Sequence, residues 1–186
     1  MKATLKKGIR ILAIDDARYT KGNGKVLVVG VVGRDETVEG VLSFLVDHDG
    51  NDATKKVYAS LKKSRFGDQV KLIVINGITL GGLNIVDMQY LAKNTSIPAV
   101  GVTRKKPHIE LLRKAVMKSE RNSDKLTILN NVSKHVKIYK MKGYYVQCFG
   151  VSKESLLPFA DSIISLLRLA HIIARGVSSG ESKGRI

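Results

Sequence analysis

Runs of apolar residues alternate with short polar connections in the first quarter of the chain. Three such runs, at residues 10–14, 25–32 and 38–46, are predicted to be strands, and the second is rich in β-branched residues, as a buried strand should be. An Asn-Gly pair within residues 20–24 suits a turn between the first two runs. Sequential strands with short connections predict an antiparallel meander.

After residue 50 the apolar period alternates between that of a helix and that of a strand. Strands that alternate with helices predict parallel βαβ units with right-handed crossovers. The predicted elements are a helix from Asn51 or Asp52, a strand at 70–75, a helix after the glycine-rich segment 77–82, a strand at 98–102, a helix from Pro107 to about Ser119, strands at 136–141 and 144–149, and a helical region from Ser152 that is interrupted at Pro158.

The order of these elements predicts an α/β fold, a mixed sheet in which an antiparallel meander continues into parallel βαβ units and which helices flank. That order is the one found in ribonuclease-H-like domains. A length of 186 residues suits one domain over residues 1–186. We expect its polar end, residues 178–186, to form a mobile basic tail.

The chain is strongly basic. It has 32 Lys and Arg residues against 16 Asp and Glu residues, a formal net charge of +16. A field of that sign attracts polyanions, of which nucleic acid is the commonest in a cell. The alternative is that the lysine surplus only solvates the surface, as it does in thermophilic proteins.

Composition also limits the expected cellular location of the protein and the kinds of disulfide and metal site that it can form. The apolar runs are far shorter than the roughly 20 residues of a membrane span, and residues 1–10 lack the apolar core of a signal peptide. We therefore expect a cytoplasmic protein with no membrane contact. The single cysteine, Cys148, excludes an intrachain disulfide and a cysteine-rich zinc site.

Carboxylates cluster where two predicted strands end. Asp15 and Asp16 follow the first apolar run, and Asp47, Asp49 and Asp52 follow the third. Oxygen ligands of this kind suit Mg²⁺, and two such ions can activate a water and stabilise the leaving oxygen in phosphodiester hydrolysis. Sequence does not fix the strand register, so it leaves open whether both clusters share one edge of the sheet.

Other interpretations of these acids stay open. An Asp pair after a strand is often a turn or a helix cap, and the 47–52 segment can cap the next helix. Its spacing is similar to that of a calcium loop, but Tyr58 stands where such a loop has its bidentate Glu. Asp87 lies further along the chain and can point back toward the strand ends. His108, His135 and His171 are expected to cap or to pack.

Several phrases together resemble an archaeal family, the endonuclease dU proteins, which are distant relatives of endonuclease V. The resemblance spans nearly the whole chain and implies a ribonuclease-H-like fold. The phrases are Ala-Ile-Asp-Asp at 13–16, Asp-Gly-Asn-Asp-Ala-Thr at 49–54, Gly-Ile-Thr-Leu-Gly-Gly-Leu-Asn-Ile-Val-Asp at 77–87, Ile-Pro-Ala-Val-Gly-Val-Thr-Arg-Lys-Lys-Pro at 97–107, Arg-Leu-Ala-His-Ile-Ile-Ala at 168–174 and Gly-Glu-Ser-Lys-Gly-Arg at 180–185.

The resemblance implies a site for Mg²⁺, with Mn²⁺ as a substitute. In endonuclease V an Asp ends the first strand, which gives Asp15 the main metal-ligand role here. Val46 stands where that family has a Glu, with Asp47 one step on, and Asn76 stands where it has its third acid. The implied metal ligands are Asp15, Asp47, Asp49, Asp87 and the amide of Asn76, and the implied catalytic residues are Asp15, Asp16, Asp47, Asp49 and Asp87.

The resemblance also implies contacts with phosphate. The segment that ends at Arg104 is similar to a Gly-Val-Ala-Lys segment of endonuclease V, which suggests a phosphate near Arg104. The predicted nucleic-acid contacts are Arg104, Lys105 and Lys106, with Lys183 and Arg185 in the tail.

The implied function is a Mg²⁺-dependent endonuclease that nicks nucleic acid, DNA rather than RNA, at uracil, hypoxanthine or other damage. The first alternative is a non-catalytic nucleic-acid-binding protein with a degenerate nuclease site, which Asn76 and Val46 favour. The acids favour the enzyme, because bare carboxylates repel phosphate unless a cation lies between them. A phosphodiesterase for small molecules is a third hypothesis, disfavoured by the broad positive charge. The oligomeric state stays open.

Overall fold

A mixed sheet forms the centre of the computed structural model, which describes residues 4–20, 24–35, 37–119, 122–136 and 138–182. In these residues the sheet has seven strands in the order β3-β2-β1-β4-β5-β7-β6. The strands are β1 (Arg10–Asp16), β2 (Lys25–Arg34), β3 (Thr37–Asp47), β4 (Val70–Asn76), β5 (Ala99–Thr103), β6 (Ile138–Met141) and β7 (Tyr144–Phe149).

The strand directions match the sequence prediction. β1, β2 and β3 pair antiparallel as a meander, and β1, β4 and β5 pair parallel. β1 is the first strand in sequence but lies mid-sheet between β2 and β4. Its residues Ile11–Ile14 are all buried, which explains the uninterrupted apolar run that marks a strand covered on both faces. The predicted mixed sheet is therefore confirmed.

Helices cover the sheet. The longest, α6, packs across β1, β2 and β4, while α1 contacts β3, and α2 contacts β5 and β7. Gly33 on β2 allows the close approach of α6, because a Cβ there would lie 2.5 Å from a methyl carbon of Leu166. The helices are α1 (Ala53–Lys63), α2 (Met88–Thr95), α3 (Ile109–Met117), α4 (Ser123–His135), α5 (Lys153–Leu156) and α6 (Ala160–Ser179), with a 3-10 turn (Leu157–Phe159) between α5 and α6.

Helix α4 was not predicted by the sequence pattern. Its buried positions Lys125, Leu129 and Val132 have helical spacing, but one of the three is a lysine, so the apolar period is incomplete. The Lys125 ammonium donates to the main-chain oxygen of Asp49, 2.6 Å away, which accounts for its burial. A tertiary contact thus replaces the apolar side chain that the pattern would require.

The C-terminal helical region accounts for part of the predicted tail. By length and composition alone, Lys153–Ser179 is apolar enough to cross a membrane, but Ile163, Leu167 and Ala170 are buried in the core. Such a helix is also what the core of a soluble protein provides. α6 includes Ser178 and Ser179 from the predicted tail, and residues 183–186 lie outside the described residues.

Candidate active site

Asp15, the last residue but one of the central strand β1, belongs to a buried polar cluster. Its side chain is almost inaccessible, and one oxygen lies 2.7 Å from Nδ1 of His171 on α6. The other oxygen accepts from the Asn76 amide at 3.1 Å and from the Asp16 main-chain N–H at 2.9 Å. The parallel β1–β4 register pairs Ile14 with Ile75. The next residues of the two strands, Asp15 and Asn76, therefore lie side by side at the same edge of the sheet.

The contact with Asp15 orients the imidazole of His171. An ionised carboxylate can only accept a hydrogen bond, so Nδ1 is the ring nitrogen that donates to it; in the neutral imidazole the lone pair is then on Nε2, which points away from Asp15. A carboxylate that fixes an imidazole in this way makes Nε2 a better base or ligand. Asp15 therefore positions a second functional group as well as offering its own oxygens.

Asp16 adjoins this cluster, and its carboxylate contacts the glycine-rich segment 77–82. Its carboxylate accepts from the main-chain N–H of Gly81 at 2.8 Å. The pKa of Asp16 is raised to about 6: burial is the largest cause and the neighbouring charge of Asp15 adds to it, while the Gly81 hydrogen bond and the positive charge of Arg175 oppose the rise. A buried carboxylate that ionises reluctantly gains from any cation that approaches it.

Asn84 fixes the loop that follows β3. The residue is completely buried, and its amide oxygen accepts from the Ala53 N–H at 3.0 Å. Its amide nitrogen donates to the Asp47 main-chain oxygen at 3.0 Å and to the Asp52 carboxylate at 2.7 Å. Sequence reasoning gave Asn84 no role, yet it joins the 47–53 loop to the segment that leads into α2.

The side chains of Asp47, Asp49 and Asp87 each have a hydrogen-bond partner outside the Asp15 cluster. Asp49 accepts from the Leu83 N–H at 2.6 Å, and Asp87 accepts from the Tyr90 N–H at 2.8 Å as the N-cap of α2. Asp47 pairs with Lys25 on the neighbouring strand, and this hydrogen bond raises the pKa of the lysine.

The structure therefore groups only part of the predicted ligand set. Asp15 and Asn76 touch, and Asp16 is adjacent to them, but in the described part of the chain no group of three or more His, Cys, Asp or Glu side chains is arranged to hold a metal ion. The strand register explains why Asp47 is separate. β3 places Asp47 opposite Lys25, whereas Asp15 lies opposite Val29, with β2 between the two acids.

The predicted phosphate contacts lie at the same edge of the sheet as Asp15. β5 runs parallel to β4 with Val102 opposite Asn76. The exposed run Arg104, Lys105 and Lys106 follows the end of β5, at the edge of the sheet where Asn76 contacts Asp15. The Thr103 hydroxyl donates to the Lys105 main-chain oxygen at 2.8 Å and shapes this turn. Lys183 and Arg185 lie outside the described residues.

His171 is the residue that sequence reasoning missed. It was expected to cap or to pack, whereas the structure places it against Asp15. The available signal was a titratable side chain on the buried face of an apolar helix, one turn from Leu167 and near Ala174. The chain separation from Asp15 is 156 residues, so no local pattern joins the two.

Comparison with solved structures identifies the fold. Human endonuclease V aligns with a TM-score of 0.50 and 12% identity over 90% of this chain and 83% of that one. Endonuclease V of Ciona intestinalis, solved with a DNA containing an inosine followed by a ribo-adenosine, aligns with a TM-score of 0.50 and 9% identity over 88% of this chain and 79% of that one. At these identities the likeness concerns the fold alone, and the predicted ribonuclease-H-like α/β fold is confirmed.

Closer relatives come from archaea. A UPF0215 protein of Methanosarcina barkeri is 36% identical over 97% of this chain and 96% of its own length. The crystal structure of a protein of unknown function from Archaeoglobus fulgidus aligns with a TM-score of 0.80 and 31% identity, covering 92% of this chain and 99% of that one. The family model described as endonuclease dU matches residues 7–178. The chain therefore belongs to the endonuclease dU family.

Proposed function

We propose that this protein is a Mg²⁺-dependent endonuclease that nicks DNA at uracil, hypoxanthine or other damaged bases. The family and the endonuclease V-like fold indicate a nuclease that acts on nucleic acid. The observation that carries the proposal is the contact between Asp15 and His171 at the carboxyl end of the central strand. The net charge of +16 supports a polyanionic substrate.

The residues present fit one hydrated Mg²⁺ better than a cage of carboxylates. Mg²⁺ in proteins usually keeps several waters and uses one or two carboxylates. Asp15 and Asp16 would supply those carboxylates, and the Asn76 amide would supply a neutral oxygen. When bound, the ion would offset phosphate charge and lower the pKa of a coordinated water. It would also favour ionisation of Asp16, whose pKa burial raises.

Side chains of the protein would act as the general base, hold the backbone phosphates and stack on a base. Asp15 holds the imidazole of His171 through Nδ1, so Nε2 can accept a proton from an attacking water. The exposed run Arg104, Lys105 and Lys106 would hold backbone phosphates at the same edge. The Tyr19 ring stacks on His48 with ring centroids 3.6 Å apart, which offers an aromatic surface to an unstacked base.

The alternative is a nucleic-acid-binding protein without catalysis. One observation favours it: within the described residues no third carboxylate joins Asp15 and Asp16, because Asn76 is neutral. The two functions differ in a simple way. A binding protein would hold nucleic acid without breaking a phosphodiester bond at any concentration of divalent metal.

The test is cleavage of end-labelled strands that carry uracil or hypoxanthine, in DNA and in RNA, with Mg²⁺, Mn²⁺ or EDTA. We expect metal-dependent nicking of DNA by the native chain. Asp15→Asn should reduce the rate by orders of magnitude, each tenfold being about 1.4 kcal/mol of transition-state stabilisation. Its affinity for the strand in EDTA should stay equal or rise, because a repelling charge has gone.

Asp124→Asn is the matched control, since it removes the same charge from an exposed position on α4. It should cleave at the native rate. No cleavage by the native chain at high concentration would favour the binding protein. Native-rate cleavage by Asp15→Asn would remove Asp15 from the mechanism.

A further inference from the structure

A small cavity adjoins the end of β1 on the side of Asp16. Its volume is about 240 Å³, and it is lined by Arg18, Arg175, Ser179 and Glu181. Two of these residues are arginines and one is a glutamate, so the lining carries a net positive charge. The cavity lies outside the Asp15–His171 cluster, and the proposed chemistry does not use it.

Arg175 has a donor that the described residues leave unused. Its Nε is buried and lacks a hydrogen-bond partner among them. A buried N–H without an acceptor is unfavourable, and such groups are rare in native proteins. An acceptor supplied from outside the chain would satisfy this donor.

The position of Arg175 relates the cavity to the candidate active site. His171, Arg175 and Ser179 follow one another at four-residue spacing along one side of α6. Arg175 therefore lies one helical turn, about 5.4 Å, beyond the imidazole that contacts Asp15. Arg18 follows Asp16 by two residues on the chain that leaves β1. An anion in the cavity would lie beside the reacting position and not in it.

The chemistry of the lining selects a phosphate group. Guanidinium groups match phosphate oxygens with paired N–H donors and remain charged at any physiological pH. Glu181 would repel an anion, but it has an interaction of its own, and the two arginines outweigh it. The ligand is thus either a phosphodiester of a bound strand or a free phosphate.

We infer that the Arg18–Arg175 cavity binds the backbone phosphate next to the one that is cleaved, which makes both arginines positioning residues. This inference rests on the proposed function for its register, because the cleaved bond defines which phosphate is the neighbour. The binding of a phosphate in the cavity does not depend on the proposed function. A strand held at this point would be fixed in register with respect to His171.

The experiment is a phosphate-by-phosphate scan in EDTA, so that no cleavage occurs. Oligonucleotides with a single neutral methylphosphonate at each position are bound to the native chain, Arg175→Gln and Arg18→Gln, with affinity measured by fluorescence anisotropy. We expect one position at which the methylphosphonate weakens native binding by roughly tenfold but has no further effect on either variant. Cleavage mapping of the same strand with Mg²⁺ should place that phosphate beside the nicked bond.

The matched control is Arg168→Gln, an exposed arginine on the same helix. It should lower affinity only through general charge and keep the position-specific loss. Arg18 is exposed, so Arg18→Gln should not disturb folding. If thermal melting shows that Arg175→Gln does not fold, the phosphate scan on Arg18→Gln alone tests the inference. Absence of any coupled position in Arg18→Gln would overturn the inference.

Free phosphate is tested in a separate arm. If millimolar inorganic phosphate raised the melting temperature of the native chain but not of Arg18→Gln, and no oligonucleotide position coupled, the cavity would be a free-phosphate site and the inference would be wrong. If a coupled position appeared but no metal supported cleavage, the nuclease proposal would fail and the phosphate contact would stand.

Discussion

Asp16→Asn tests the electrostatic state of the candidate site directly. The side chain is half-buried beside Asp15, and an asparagine has nearly the same shape. Its amide oxygen can still accept from the Gly81 N–H, which donates to the carboxylate at 2.8 Å in the native chain. The substitution therefore removes the ionisation and keeps the hydrogen bond.

The size of the effect follows from the pKa. Burial raises the pKa of Asp16 from its ordinary value of 3.8 to about 6. Because the folded state holds the proton more tightly than the unfolded chain, this stabilising contribution is complete below pH 3.8 and is lost as the pH rises through 6. One pKa unit corresponds to about 1.4 kcal/mol, so ionisation of Asp16 destabilises the fold by about 3 kcal/mol above pH 7.

The assay is urea unfolding of the native chain and Asp16→Asn between pH 3.5 and pH 8. We expect nearly equal free energies of unfolding at the acid end and an advantage for Asp16→Asn that grows to about 3 kcal/mol at pH 8. Mg²⁺ should stabilise the native chain more than the variant if Asp16 is a ligand. An advantage that does not change with pH would refute the electrostatic reasoning.

Two other substitutions separate structural roles from functional ones. Asp87→Ala should lower the free energy of unfolding by about 1 kcal/mol, because α2 loses its N-cap, and calorimetric titration with Mg²⁺ should be unchanged. A weakened titration would restore Asp87 as a metal ligand. Replacing Arg104, Lys105 and Lys106 together by Gln should flatten the log–log salt dependence of DNA affinity by roughly 0.7–0.9 per lost contact. An unchanged slope would make the run a solvated surface.

Much of the fold was predictable because strands in this sheet carry their own signal. The apolar run of β1 is uninterrupted since neighbouring strands and α6 bury it, and the β4 run has the same cause. Helix α4 gave no such signal, because Lys125 occupies a core position that a contact with the Asp49 main chain makes possible. A pattern of apolar residues cannot reveal a position that is buried by a distant hydrogen bond.

The site was less predictable than the fold, for reasons of register and distance. Asp15 and Asn76 lie at the carboxyl ends of adjacent parallel strands, and their contact follows from the βαβ order. The placement of Asp47 depends on the β2–β3 register, which puts it opposite Lys25. His171 approaches from the last helix, and only the packing of α6 on β1 determines which helix residue meets Asp15.

The span between Asp15 and His171 also orders events during synthesis. The two residues are separated by 156 positions, so their contact cannot form before α6 has been made and docked. Domains are synthesised and begin to fold from the N-terminus, so β1 emerges early, without the imidazole that it will orient. Under the proposed function, every shorter nascent chain lacks the assembled pair. The nuclease activity proposed above would then appear only once the complete helix has left the ribosome, which is itself made largely of nucleic acid.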